Sequence, residues 1–363
     1  MSLKAVLRFC AALLLTTGFV SVTTPAQAAV PEAWGFAYVD MTATPPVARQ
    51  AGSWPSGFGV AVGTGTSPGE VRVAFPQIAV PGGVVHVTAV SPGPEWCMVK
   101  SWGPVGPDVV VTVRCHRFPG DPALVPFTVV FQRSGEVFSG PGMLGYVVYD
   151  DGSVTSSFNS RGSANTVTRV STGSWRVTLP DLGASSPGGN IQVTALHPGL
   201  PARCKVGGWS PSLYAQEINV LCFVANTPSD TGWTLTYHHE RAITGVPRET
   251  TPWRQFAYTF DTNPTNPLYA PTPPGINHNS MTATNVIREA TPPFRKTTFP
   301  LVGGTPDNVQ VTAFGTDPAY CKPGALWTLT GTSYLEVSID PVICYLALSP
   351  TLSGSFVTYV SAP

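Results

Sequence analysis

Three groups of residues have types and spacings that chemistry uses. Gly65-Thr66-Ser67-Pro68-Gly69 matches G-x-S-x-G, the pattern that presents a nucleophilic serine between a strand and a helix. Here the motif sits in Gly-rich sequence and runs into a strand-like stretch, 71–75, so a turn is predicted and Ser67 is given no catalytic role. His238-His239-Glu240 is the densest titratable cluster and has the side chains for metal binding or acid–base work. Nothing like it recurs in the chain, and it is read as a solvated strand end. Asp40, Asp150 and Asp261 each close a strand-like run. Asp150-Asp151-Gly152 is turn sequence, and the full ligand pattern of a calcium loop is absent. No catalytic residue, metal ligand or cofactor is expected from these groups.

Six cysteines follow residue 28, and they fall in three pairs: Cys97 and Cys115, Cys204 and Cys222, Cys321 and Cys344. A zinc site would need four ligands, and no pair has a companion His pair at finger-like spacing. Disulfides within each pair are predicted. Each would close a loop that contributes roughly 3 kcal/mol in the chain-entropy model. The loops are too short for the inter-sheet bridge of immunoglobulins, so each bridge should join neighbouring strands or a loop to a strand. A Trp follows the first Cys of each pair: Trp102, Trp209 and Trp327. Its recurrence predicts packing beside the bridge. Aromatics that do not recur are better candidates for binding, because loops carry binding and exposed rings stack on sugars or anchor partners. Trp54, Trp253 and Tyr269 are the chosen three, with Phe58 and Phe158 in similar Pro- and Gly-rich stretches. Tyr269 lies in 263–275, a five-proline segment read as an extended arm.

The elements that must hold these residues repeat three times. Val87-Thr88-Ala89, Val193-Thr194-Ala195 and Val311-Thr312-Ala313 are one phrase. Around it, in fixed order, come the strand ending on Asp, then Phe75-Pro76, Leu179-Pro180 or Phe299-Pro300, then the phrase, then Cys, Trp and Cys, and a closing strand with Phe131, Tyr237 or Tyr359. The period is that of a small domain rather than a solenoid unit. The boundaries are set at 29–138, 139–248 and 249–363, with turn-rich joints near 134–141 and 245–252.

Alternation within the phrase predicts a strand with one apolar face, Val85, Val87 and Ala89, and one polar face facing water, His86 and Thr88. Gln192 and Gln310 replace His86 in the other copies, so His86 is read as a hydrogen-bonding surface position. Val109, Val111, Val113 and Cys115 alternate likewise. In the third copy Leu335, Val337 and Ile339 are out of phase with Val342 and Cys344, which predicts a bulge or a break in the strand at Pro341. The expected fold is all-β: three tandem β-sandwich domains of six or seven strands, Ig-like but not true immunoglobulin, each with one disulfide. A small barrel is the alternative.

Composition agrees. Gly (36) and Pro (38) make up about one residue in five beside 43% hydrophobic residues, a mixture of short strands and turns. Charged residues are only 11%, against about 25% in an ordinary domain, and the 20 basic and 20 acidic side chains cancel. That excludes the basic footprint of a nucleic-acid binder. Lys4 and Arg8, an apolar run over 9–20 and Ala26-Gln27-Ala28 form an export signal over 1–28, and no later stretch suits a membrane anchor.

The ordered landmarks, with Val193-Thr194-Ala195, Cys204, Trp209, Cys222 and their counterparts, resemble repeats in secreted actinobacterial proteins of unknown function. The resemblance covers essentially the whole chain after residue 28. It implies export and a β fold, and brings no activity, cofactor or site. The expected function is therefore non-catalytic extracellular binding through variable loops, to polysaccharide, cell wall or another secreted protein. The alternatives are a structural spacer or surface-matrix protein, a hydrolase with a site between repeats near His238 and His239, and, more weakly, a protease inhibitor.

Overall fold

The computed structural model describes residues 32–138, 140, 142–245, 255–331 and 335–362. The export signal over 1–28 and Trp253 lie outside these described residues. The fold is all-β: the described residues form twenty-nine strands and one short 3₁₀ turn, Pro274–Ile276. Among them no helix is long and apolar enough to cross a membrane. Nine strands fall in each of the first two repeats and eleven in the third, more than the six or seven predicted.

Each repeat supplies two sheets. One holds the strand Ala33–Val39, the closing strand Phe127–Arg133 and the phrase strand Val84–Ala89. The other holds Glu70–Phe75, Asp108–Arg117 and Glu95–Val105. Val109, Val111, Val113 and Cys115 are buried between them, as their alternation predicts. Cys97 lies directly opposite Cys115 on adjacent antiparallel strands, with Cα atoms 4.0 Å apart. Cys204–Cys222 and Cys321–Cys344 have the same geometry. Of the two expected outcomes at Pro341 the structure has the bulge: between the pairs Arg295↔Val342 and Thr297↔Ile339 the strand Leu335–Leu346 carries one extra residue, so Val337, Ile339, Val342 and Cys344 are all buried.

The repeats do not follow one another as separate beads. Leu196 of the second pairs in parallel with Val99 of the first, and Phe314 of the third with Val206 of the second, so sheets run across both boundaries. The backbone bonds at these joints are His197 N–H to Val99 O and Gly315 N–H to Val206 O. The matching bond of the third joint, Ser91 N–H to Pro323 O at 3.1 Å, returns to the first repeat and closes a ring.

The centre of the ring corrects the reading of the phrase strand. Val85, Ile191 and Val309 face their own sandwich cores, but the opposite face does not meet water. His86, Gln192, Gln310, Thr88, Thr194 and Thr312 are all buried, because the three phrase strands turn their polar faces toward one another. Each Thr satisfies a neighbour's free strand edge. The hydroxyl of Thr194 accepts from Val87 N–H, that of Thr312 from Val193 N–H, and that of Thr88 from Val311 N–H, at 3.0–3.3 Å. Thr312 also donates to Gln192 Oε1 at 2.9 Å, and Thr88 to Gln310 Oε1 at 2.7 Å. Thr312→Val keeps the shape and removes every bond of the hydroxyl, leaving Val193 N–H and Gln192 Oε1 without this partner. A loss of about 1–3 kcal/mol is expected in urea unfolding at pH 7, with Thr312→Ser close to wild type. Equal stability of the Val and Ser variants would refute the role of the hydroxyl.

Each recurring Trp belongs to the same hydrophobic cluster as its own bridge, and it also serves the seams. Trp327 packs edge-on against Tyr38 of the first repeat at 6.4 Å, beneath the Arg49 guanidinium at 5.1 Å. Trp209 meets Phe260 of the third repeat at 6.0 Å. Trp102 packs on the cluster that includes Tyr146 and Val148 of the second. Only Trp327 is fully buried. Each hydrophobic core therefore borrows residues from the next repeat.

Candidate functional site

Strand register puts one structural triad at the same end of every sandwich. Val39, Tyr149 and Asp261 face Phe127, Trp233 and Ser355 across the sheet. Val71, Trp175 and Arg295 lie opposite the residue two before the second Cys. Asp261 is thus one residue out of step with Asp40 and Asp150, and the three do not form one recurring position. In the first repeat the triad is apolar and buried. In the third, the Arg295 guanidinium lies 3.1 Å from the Asp261 carboxylate, both buried, and the Tyr269 hydroxyl donates to Asp261 Oδ1 at 2.5 Å.

In the second repeat the same end is open. Tyr149 stacks on Trp233 at 5.4 Å with 15° between planes, and both rings pack on Trp175. Above them is a groove of about 500 Å³, within the range of small-ligand sites. Tyr149, Asp150, Arg169, Trp175, His197 and Asp230 line it. Asp150 and Asp151 reach it on a tight hairpin in which Asp151 and Gly152 both take positive φ, 47° and 78°, as a two-residue turn requires. Burial holds the Asp150 carboxyl above its ordinary range, and the charge of Asp151 adds to this against the Asp151 N–H bond. The side-chain bond from Arg169, at 2.6 Å, holds Asp230 below its range. Burial lowers His197, whose Nδ1 accepts from Gly199 and Leu200 N–H. Trp175 is 1% exposed, and its indole N–H has no acceptor among the described residues. The floor is therefore aromatic, with the indole N–H groups of Trp175 and Trp233 buried beneath it and without an acceptor among the described residues, and the rim offers carboxylates and a guanidinium.

A second hollow of about 270 Å³ adjoins the first, with Asp150 on the wall of both. Trp102, Lys100 and Ser156 line it along the seam between the first two repeats.

The residues singled out in the sequence lie elsewhere. Trp54 is half-buried, stacked on Phe75 at 6.1 Å. It is seated where Gly35 and Gly52 have no side chain: a Cβ on Gly52 would fall 1.8 Å from the ring. Tyr269 pins the proline arm over the Asp261–Arg295 pair. The arm itself pairs briefly with the core, Leu268 to Arg288 and Tyr269 to Ile287. His238 is not solvated: it is fully buried, its Nδ1–H donates to Arg241 O at 2.7 Å, and its ring meets Tyr258 edge-on. Ser67 lies in the predicted turn, its N–H bonded to the Glu70 carboxylate. Among the described residues no group of three His, Cys, Asp or Glu side chains is placed to hold a metal ion. Tyr149 and Trp175 were missed because they stand in strands. Their signal was the alignment of the repeats, where Val39 and Val71 occupy the same places.

The fold and its bridges define a class: an all-β protein closed in a ring and cross-linked by three disulfides, as suits an oxidising compartment. No family model, curated protein or solved structure matches the chain.

Proposed function

We propose that this chain is a secreted, non-catalytic protein that binds a polysaccharide, that of a cell wall included, in the open groove of the second repeat. The leader-like residues 1–28 and the three disulfides support export. The observation that carries the binding reading is the difference between equivalent ends. One is filled by Val and Phe, one is shut by an ion pair and Tyr269, and one leaves Tyr149, stacked on Trp233, half-buried on the wall of a groove. A sugar ring suits that surface, with C–H groups on Tyr149 and hydroxyls toward Asp150, Asp230 and Arg169. The adjoining hollow beside Trp102 gives a longer chain a second place to rest.

The test mixes purified residues 29–363 with insoluble cell wall, chitin or cellulose and measures the protein left in solution. Depletion by one polymer, reversed by its soluble oligosaccharide, is expected. Tyr149→Ala is expected to weaken that binding about tenfold, roughly the 1.4 kcal/mol of one stacking contact. Binding that survives Tyr149→Ala and Asp150→Asn unchanged would move the site elsewhere, and no depletion by any polymer would end the glycan reading.

A further inference from the structure

The residues just before the first Cys of each pair are Trp96, Arg203 and Tyr320, and all three are buried. Ring closure brings them together on the axis. The Arg203 guanidinium lies 5.2 Å from the Trp96 ring centre and 4.8 Å from that of Tyr320. The two rings are 5.5 Å apart. Beside them is a cavity of about 50 Å³, walled by the three Val-Thr-Ala phrases and by Lys322.

The charges there do not balance. Arg203 Nη2 donates to Asn226 Oδ1 at 2.6 Å, but Nε and Nη1 are buried without an acceptor among the described residues. No carboxylate of those residues lies within 4.0 Å of Arg203, although such pairs are found for Arg49, Arg117, Arg169 and Arg295. Lys322 adds a second buried amine, bonded to Ser91 and 3.9 Å from Glu95, a carboxylate that Arg117 already engages at 2.6 Å. Burial lowers the Arg203 pKa only to about 10, so the guanidinium keeps its charge at neutral pH. Aromatic faces attract a cation from above and below, yet they accept nothing from the N–H groups at its edge. An unpaired buried charge is costly, and a neutral water cannot balance it.

We propose that the axial cavity binds one small inorganic anion of halide size, held by the free N–H groups of Arg203. The volume admits a halide with a water or two, but no sugar and no organic acid of ordinary size. The anion would tie the three repeats at the point where their seams converge, away from the groove of the second repeat.

Bromide is the probe. Crystals of the purified protein soaked in sodium bromide should show an anomalous peak in the cavity within about 3.5 Å of Arg203 Nε or Nη1. In solution, exchanging gluconate for chloride at constant ionic strength should raise Tm by roughly 2–4 °C, as ligation of the folded state requires. Arg203→Met should abolish that difference. An axial cavity holding only water in bromide-soaked crystals would overturn the proposal, whether or not the Met variant folds. So would a bromide peak with no halide dependence of Tm, which would mark an adventitious ion only.

Discussion

Replacing Asp261 by Val is expected to lower the unfolding free energy by about 3–5 kcal/mol, because it leaves the buried Arg295 guanidinium without its counter-charge. Arg295 has little in reserve, since its Nη2 already lacks an acceptor. Tyr269 would lose the carboxylate that fixes its arm. Adding Arg295→Val to the same chain is expected to return stability to within about 1 kcal/mol of the starting protein. The double variant reproduces the first repeat, where Val39 and Val71 fill the equivalent places. A buried ion pair is weak support for a fold, but half of one is a liability. Urea unfolding at pH 7, followed by Trp fluorescence and analysed as a double-mutant cycle, measures the coupling. Additive losses would show that the two side chains do not act as a pair.

The same comparison explains why the third repeat needs its arm. A charged pair at the end of a sandwich must be shut away from competing solvent to keep its geometry. The five-proline segment does this through two bonds to Asp261, from the Tyr269 hydroxyl and the Asn263 N–H, rather than through a packed core of its own. The second repeat has aromatics at these places and no arm above them, and its groove follows. A single pair of positions, filled three ways, thus separates a packed end, a latched end and an open one.

Much of this architecture is legible in the residues. Alternation of Val109, Val111, Val113 and Cys115 is a local property, set by the two-residue period of a strand, and it survives any tertiary arrangement. The break in parity at Pro341 is equally local and marks the bulge. The cysteine pairing follows from recurrence. What a strand's polar face meets is not local. His86-Val87-Thr88 reads the same whether its outer side meets water or two sister strands, and only ring closure buries it. The groove was hidden for a related reason. Tyr149 and Trp175 read as core residues, and Trp175 is one; the site arises beside Tyr149, which stays half-buried on the wall of the groove. The loop aromatics Trp54 and Tyr269 misled in the opposite sense, since each folds back to cover a core that glycines or charges had left open.

Ring closure also sets how the protein meets acid. In two of the three copies the axis holds a Gln that accepts from a neighbour's Thr and donates onward through its amide, Gln310 to Thr128 at 2.7 Å and Gln192 to Asn190 at 2.7 Å. His86 does both jobs in the first copy: Nδ1 lies 3.2 Å from Thr194 Oγ1 and Nε2 lies 2.8 Å from Thr236 Oγ1. A neutral imidazole with its proton on Nε2 has one acceptor and one donor, like a carboxamide, and this assignment fits the network. A protonated ring has no acceptor left. Burial, and then the nearby His238, depress the His86 pKa from 6.5 to about 3; burial depresses His238 to about 3 against its bond to Arg241. Both folded values lie below the unfolded one, so the unfolded chain takes up protons first. The stability they confer is complete above about pH 6.5 and is lost as pH falls toward 3. Each His should cost about 1.4 kcal/mol per pH unit in that window, or about 2 kcal/mol from pH 6.5 to 5. His116, His197 and His239 are lowered too and act in the same direction. His86→Gln installs the residue of the sister copies and cannot titrate. It should leave stability at pH 7.5 nearly unchanged and reduce the slope of unfolding free energy against pH by about 1.4 kcal/mol per unit between pH 6 and 5. Urea unfolding at pH 7.5, 6 and 5 reads the slope directly. An unaltered slope would mean that His86 gains its proton without loss in the folded ring, and that the axis is open to water.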